Sequence, residues 1–342
     1  MPDINRPTQI LMLVAPSFNI SASMNFIDPL RAVNYLEGSG FFHWQFVSEA
    51  GGLCMASNGA EIATKALADV NITEADVVIV STSWTPEDVS TPALLGAVRG
   101  AMRNGKHVYG LDTGAFVLAH AGVLEGKIAT VHYEHMDAFI ELFPEVTLSE
   151  DQYVFDGRIA SCCGGTASVD FAVRMIRELH GPAIANAAAR YIFHTEFRRS
   201  GTPQNPSHSE PLGVSVPEKL RRAIKIMEQH LEDPLSIPEI CSQIDLSQRQ
   251  LSRLFAKYLN KTPILYYRDI RLDRARGLVT QTTMAISEIS VASGFASQVH
   301  FSRAYRERFD LSPLQDRGEG RIPFEFRAWP MHRRAKSKGG GE

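Results

Sequence analysis

Two hydrophobic rhythms divide this chain. In the first 200 or so residues, short unbroken apolar runs such as QILMLVA (9–15) and DVVIVST (76–82) alternate with stretches in which apolar residues recur every three to four positions. Unbroken runs of strand length are what a parallel sheet covered on both faces requires. The helix-period stretches FIDPLRAVNYLEG and PALLGAVRGAMRNG close on glycine and on Asn-Gly, residues that accept the left-handed backbone of a helix end. HVYGLD, TVHY and the pair QYVFDG and RIASCC read as further strands, and TASVDFAVRMIRELHG as a long amphipathic helix. The alternation predicts an α/β doubly wound parallel sheet sandwich, which binds ligands beyond the carboxyl ends of its strands. Trp84, Asp112 and His132 are expected there.

After residue 217 no segment reads as strand. PEKLRRAIKIMEQHLED, SIPEICSQI, SQRQLSRLFAKYL, TPILYYRDIRLDRARGLV, AISEISVAS and SQVHFSRAYRERF all carry helix periodicity. The order short helix, tight turn, basic amphipathic helix occurs twice, from Ser236 and from Ala285, an internal repeat of about 50 residues. An all-α domain with two helix-turn-helix units follows. The stretch SGTPQNPSHSEPLGVSVP between the two rhythms is rich in proline, serine and glycine and has no apolar period. The expected division is a sensor domain at 8–198, a linker at 199–215, a helical domain at 216–317 and a disordered tail at 318–342.

In the second repeat, Ile286, Ile289 and Val291 form an apolar stripe, Gly294 permits the turn, Ser297 is placed to cap the next helix, and Phe301, Tyr305 and Phe309 bury one face. The other face presents Gln298, His300, Arg303 and Arg306. In the first repeat Ser247 caps a helix whose Leu251, Leu254, Phe255 and Tyr258 face inward, leaving Gln248, Arg249, Ser252, Arg253 and Lys257 outside. Arginine can read guanine edges, glutamine adenine, and arginine or lysine can hold phosphate. The bland alternative is a solvated helix face, which two copies of the same turn chemistry make less apt. Charge agrees: residues 1–214 hold 13 Lys and Arg against 23 Asp and Glu, whereas residues 215–342 hold 22 against 15.

GFASQVHFSRAYRERFDLSPLQDR and LSIPEICSQIDLSQRQLSRLFAKYLNKTP resemble the AraC/XylS signature of a Gly-Phe turn, an F-S-R core and a terminal S-P-x-x-x-R. The resemblance covers about residues 216–317 and implies two helix-turn-helix units in successive major grooves, with Arg249, Ser252 and Arg253 and then Gln298, His300 and Arg303 facing bases. Gln315-Asp316 stands where that family usually has an aromatic before the arginine, and a small packing change is expected.

GLDTGAF (110–116) joins the strand HVYGLD to a helix through a sharp turn bearing one polar residue, the way enzymes expose a nucleophile. This elbow, with VIVSTSW, VHYEH and SCCGGTASVDFAVRMI, resembles the PfpI-like branch of the class I glutamine amidotransferase-like superfamily over about residues 8–195. A domain of that kind fused to an AraC-type domain resembles the GlxA-type transcription regulators. The superfamily's enzymes carry cysteine at the elbow; here it is Asp112, so the thiol chemistry is absent. Cys54, Cys162, Cys163 and Cys241 show no metal-type spacing and read as reduced thiols, Cys162 and Cys163 as small buried packing residues.

The carboxylate of Asp112, stabilised by the N–H groups of Thr113, Gly114 and Ala115, suits a cationic ligand. Phe18, Asn19, Trp84, His132, Tyr133 and Glu134 are expected around it, Trp84 through cation–π attraction. The resemblance implies ligands such as glycine betaine, carnitine or arginine. The expected protein is a cytoplasmic, ligand-responsive regulator that binds promoter DNA as a homodimer, and the resemblance implies an activator more than a repressor. RNA polymerase is admitted as a further partner, and no cofactor, metal or membrane is expected. AIANAAARYIFHTEFRR is the expected relay or dimer surface. The alternative is a PfpI-like hydrolase or hydratase with a DNA-binding tail.

Overall fold

The run at 9–15 becomes the central strand of its sheet because both of its faces find cover. In the computed structural model β1 (Thr8–Val14) turns Ile10, Met12 and Val14 to one apolar cluster and Leu11 and Leu13 to another. β5 (Val77–Thr82), buried throughout, divides Val77 and Ile79 from Val78 and Val80 in the same way. A side-chain period of two with no polar face is what an unbroken apolar run encodes. The structure describes residues 6–38, 40–84, 86, 88–194, 198, 201–204 and 216–319. These divide between two compact units, within Met1–Gln204 and within Asn205–Arg321. Most of the expected linker, and all of the expected tail beyond Glu319, lie outside the described residues.

The first unit is built on an eight-stranded sheet. β2 (Phe42–Ser48), β3 (Ala50–Met55), β4 (Glu61–Ala66), β6 (His107–Asp112), β9 (Tyr153–Asp156) and β10 (Ile159–Cys162) join β1 and β5 in the order β3-β4-β2-β1-β5-β6-β10-β9. The inner pairs are parallel and the edge hairpins β3–β4 and β9–β10 antiparallel. α1 (Ile20–Glu37), α5 (Ala167–His180) and α6 (Pro182–Tyr191) cover one face over Phe26, Leu30 and Phe171. α2 (Pro92–Arg103), α3 (Gly114–His120) and α4 (Met136–Leu142) cover the other over Val98, Phe116 and Phe139.

Sequence periodicity did not mark β2, β3 or β4. β3 and β4 form an edge hairpin with mostly exposed or half-buried positions, and β3 contains Gly51 and Gly52. TVHY, expected as a strand, is not one: pairing is confined to β7 (Ile128–Ala129) against β8 (Thr147–Leu148), and Tyr133–His135 is a short 3-10 turn. Its backbone donors are committed elsewhere, Thr130 N–H to Ser161 Oγ and His132 N–H to the carbonyl of Asp112. Tertiary partners override strand propensity here.

The second unit is helical: α7 (Glu218–Gln229), α8 (Ile237–Gln243), α9 (Gln248–Leu259), α10 (Pro263–Gln281), α11 (Ile286–Ala292), α12 (Gln298–Phe309) and α13 (Pro313–Glu319). It has two cores, and α10 serves both, giving Tyr266, Tyr267 and Ile270 to one and Leu272, Leu278 and Val279 to the other. Ser236 and Ser247 cap α8 and α9 in reciprocal boxes with Glu239 and Gln250. Ser297 takes the corresponding position before α12 but makes no side-chain cap bond, contrary to expectation. The second turn is one residue longer than the first, with Gly294 (φ 73°) where the first has Asp245 (φ 53°). Val291 is 64% exposed rather than part of the buried stripe, since the inward positions of α11 go to Ile286, Ile289 and Ser290. At the Gln315-Asp316 departure, Asp316 is fully buried and accepts from Arg276 Nε at 2.9 Å and the Tyr305 hydroxyl at 2.8 Å. A polar network fills that place.

Gly294 also fixes one helix-turn-helix unit against the other. A Cβ there would stand 2.5 Å from the carbonyl oxygen of Leu231 and 2.9 Å from that of Glu232, while Arg271 donates to the Gly294 carbonyl at 2.7 Å. Gly294→Ala is expected to destabilise the helical unit by about 2 kcal/mol or more, through left-handed strain plus backbone collision. Gly122→Ala, at φ 72° with open space around it, should show the strain alone. Thermal unfolding of the two variants measures the difference.

Candidate functional site

Asp112 ends β6 with φ 60°, a left-handed backbone that is costly for a residue with a side chain. Three glycines make the elbow sterically feasible. A Cβ on Gly110 would lie 2.8 Å from Ala115 N, one on Gly164 would lie 3.1 Å from the Cβ of Asp112, and one on Gly114 would overlap the carbonyl oxygen of Val80. The Asp112 carbonyl accepts the His132 N–H at 3.2 Å. Only 4% of the residue is exposed, and its Oδ2 accepts from Asn19 Nδ2 at 2.5 Å. Asn19 is itself held as the N-cap of α1, its Oδ1 accepting from Ala22 N at 3.1 Å. Burial pushes the Asp112 carboxyl up to about 6; His132 and the Asn19 hydrogen bond work against that rise, and Glu134 adds to it.

The structure gathers some of the expected ligand residues and separates others. Asn19, Asp112, His132 and Glu134 share one neighbourhood: the ring Nδ1 of His132 accepts the Glu134 N–H at 3.4 Å and lies 4.0 Å from Glu134 Oε2. Tyr133 is 45% exposed, its ring 4.6 Å from that of His132. Trp84 is half-buried two residues beyond Thr82, which pairs in register with Asp112, so it lies at the same end of the sheet. Phe18 is a correction. Phe18 is fully buried in the α1-side core and bridges to Ala56, so its ring offers a ligand no surface. Thr113 is fully buried and spends its hydroxyl on the Ser83 carbonyl at 2.6 Å and on Thr82, tying the elbow to β5.

Several groups near the elbow had no decisive sequence signal. Gly164 packs directly on Asp112, and Cys162, whose thiol burial pushes up, accepts the Gly164 N–H at 3.5 Å. His135 is fully buried with no hydrogen-bond partner on either ring nitrogen, and burial holds it down at about 3 and therefore neutral. Gln204 donates to Thr130 Oγ1 and to the Val131 carbonyl, both at 2.8 Å, immediately before His132. No linear motif announces contacts over such sequence distances. Among the described residues no group of His, Cys, Asp and Glu has metal-holding geometry.

In the helical unit, Arg249, Ser252, Arg253 and Lys257 are exposed on α9, and Gln298, His300, Arg303 and Arg306 on α12. With about 100° between successive residues, Val299, Arg303 and Arg306 share the line opposite Phe301 and Tyr305, whereas Gln298 and His300 fall on opposite flanks. Val299 is 76% exposed and was missed as an outward residue. The repeat contained the signal, since an offset of about 50 residues superposes Val299 on Arg249. An apolar side chain there suits a thymine methyl group. Arg303 Nε is 3.1 Å from Glu307 Oε1, an ion pair across one turn of the helix.

Residues 8–178 match the DJ-1/PfpI family, and residues 240–319 match a helix-turn-helix domain. The chain is 36% identical over 305 residues to the HTH-type transcriptional regulator CdhR of Pseudomonas aeruginosa, covering 89% of this chain and 90% of that one. It is 33% identical over 316 residues to the HTH-type transcriptional regulator GbdR of the same species, covering 92% and 86%. A crystal structure of an AraC family transcriptional regulator from Pseudomonas putida superposes with a TM-score of 0.51 at 21% identity, covering 54% of this chain and 100% of that one, a likeness of fold.

The elevated Asp112 carboxyl has a thermodynamic consequence. Its folded pKa of about 6 lies above the ordinary 3.8, so the folded state holds a proton that the unfolded chain releases first. Asp112 therefore costs no stability below about pH 4, and its penalty grows as pH rises from about 4 to 6, reaching about 3 kcal/mol. Asp112→Asn should be the more stable form at neutral pH, with the gap closing at pH 4. Denaturant unfolding of the first unit at both pH values measures it.

Proposed function

Since the chain belongs to the family of HTH-type transcriptional regulators that join a DJ-1/PfpI domain to an AraC-type helix-turn-helix domain, we propose that its first unit senses a small amine-containing metabolite. A betaine, carnitine or arginine-like compound is the class in view, and binding alters how the helical unit engages promoter DNA. The observation that carries this reading is the elbow itself: its strained backbone is kept, yet it presents a buried carboxylate in place of a thiol. An anion held by Asn19 and beside Glu134 attracts a cation, which relieves the unfavourable burial of the charge.

A route from the elbow toward the helical unit supports the reading. Gln204 bonds to the loop that carries His132, its N–H bonds to the Glu150 carbonyl, and Pro203 bridges to Asp151. Upstream, His194 Nε2 and the Arg198 N–H meet the buried Asp170 carboxylate at 2.8 and 3.0 Å. A ligand that shifts the His132 loop changes the anchorage of the segment leading into the second unit. Coupling requires that the ligand prefer one of the two arrangements. Activation through promoter DNA as a homodimer, with RNA polymerase as a further contact, completes the proposal.

Three variants and one turnover assay test it. Gln204→Ala should keep effector binding, found by a thermal-shift screen over betaines, carnitine, choline derivatives and basic amino acids, but lose the effector's influence on DNA affinity; an unaltered influence would remove the route. Arg303→Ala should weaken specific promoter binding by about 1 to 3 kcal/mol, and Lys257→Ala should weaken binding to all sequences while lowering the salt slope by about 1. Turnover of a candidate substrate that disappears in Asp112→Asn would instead establish the hydrolase or hydratase alternative.

A further inference from the structure

The sheet's direction of winding changes at β1: the chain moves from β1 through α1 to β2 on one side, and from β5 through α2 to β6 on the other. Open α/β sheets bind ligands outside the carboxyl ends of strands at such a switch. A cavity of about 590 Å³ lies there, with Leu13, Val47, Leu67 and Leu94 among its walls and the turn after β1 and the β2–β3 turn closing its sides. None of the expected ligand residues at the elbow lines it. Its volume falls within the range of about 300 to 1,000 Å³ typical of small-molecule sites.

Among the described residues its charged lining has one sign. Glu49 from the turn after β2, Glu61 from β4 and Asp88 from the loop after β5 all line the cavity, and no described Lys, Arg or His does. Glu49 is oriented from the far wall, its Oε2 accepting from the Thr91 hydroxyl at 2.6 Å, while Thr91 Oγ1 accepts the Leu94 N–H as the N-cap of α2. Glu49, Glu61 and Asp88 are all exposed to solvent. The three acids come from three separate elements, which only the fold brings around one apolar hollow.

We propose that this cavity is a second small-molecule site of the first unit, distinct from the Asp112 elbow, that takes an amphipathic cation: an ammonium head among Glu49, Glu61 and Asp88 and an alkyl or aryl body against Leu13, Val47 and Leu94. Apolar walls without the acids would accept a neutral body equally well, and acids without the walls would attract any cation. Both together select a molecule with a charged end and a greasy one. The site stands independently of the effector reading of the elbow.

The probe is hexylammonium, titrated calorimetrically into the full-length protein, with hexan-1-ol as its neutral counterpart. Saturable hexylammonium binding at least tenfold tighter than hexanol binding is expected. Glu61→Gln combined with Asp88→Asn should weaken the ammonium at least tenfold and leave hexanol unchanged, with circular dichroism verifying the fold; Glu61→Gln alone is the milder companion. Asp112→Asn should not alter the titration. Absence of saturable binding, equal affinity for the alcohol, or indifference to the acid substitutions overturns the site. Loss of binding in Asp112→Asn also overturns it, since the cation then sits at the elbow, and the effector reading survives.

Discussion

The backbone at Asp112 is bent into a conformation that costs about 1 to 3 kcal/mol for a residue with a side chain, and much of the first unit is arranged around tolerating it. β6 and α3 can meet at that angle only because Gly110 and Gly114 leave room for Ala115 N and the Val80 carbonyl. Gly164, at the end of the neighbouring strand, allows the third close approach. Thr113 then ties the turn to β5 through the Ser83 carbonyl, and His132 closes it from the other side. The result is a carboxylate almost out of water, facing one amide donor from the start of α1.

That arrangement conflicts with easy ionisation, and the conflict is useful. In an elbow with a thiol, the same oriented turn and helix start would favour the thiolate. With an aspartate, desolvation outweighs the favourable partners and lifts the carboxyl toward neutrality. A site where charge is present but poorly compensated is one where a cation gains most on arrival. The loop that supplies His132 is also the loop to which Gln204 bonds, so the elbow and the outgoing segment share structure rather than merely proximity.

The helical unit solves a different problem, holding two similar reading heads in fixed relation. α10 does so by contributing to both cores, and its Arg271 bonds to the Gly294 carbonyl while its guanidinium lies 4.7 Å from the centre of the Phe295 ring. Asp316 anchors the end of the second head through Arg276 and Tyr305, a buried polar arrangement that holds only because each of these donors reaches it. The two heads differ chemically on one common frame: Arg249 on the first stands where Val299 stands on the second.

The sequence by itself determined the two fold classes, the buried runs that became β1 and β5, the helix repeat and the elbow, because each is written in local periodicity or in glycines at fixed offsets. It also determined that a carboxylate replaces the thiol. Tertiary structure alone decided that Phe18 and Thr113 belong to the core, that TVHY is irregular, and that β2, β3 and β4 extend the sheet on that side. It alone placed Asn19 against Asp112, Gln204 against Val131, and Glu49, Glu61 and Asp88 around one hollow. The reason is physical: periodicity records which side of its own element a residue faces, whereas burial, desolvation and encounters between distant residues depend on what the rest of the chain packs against that side.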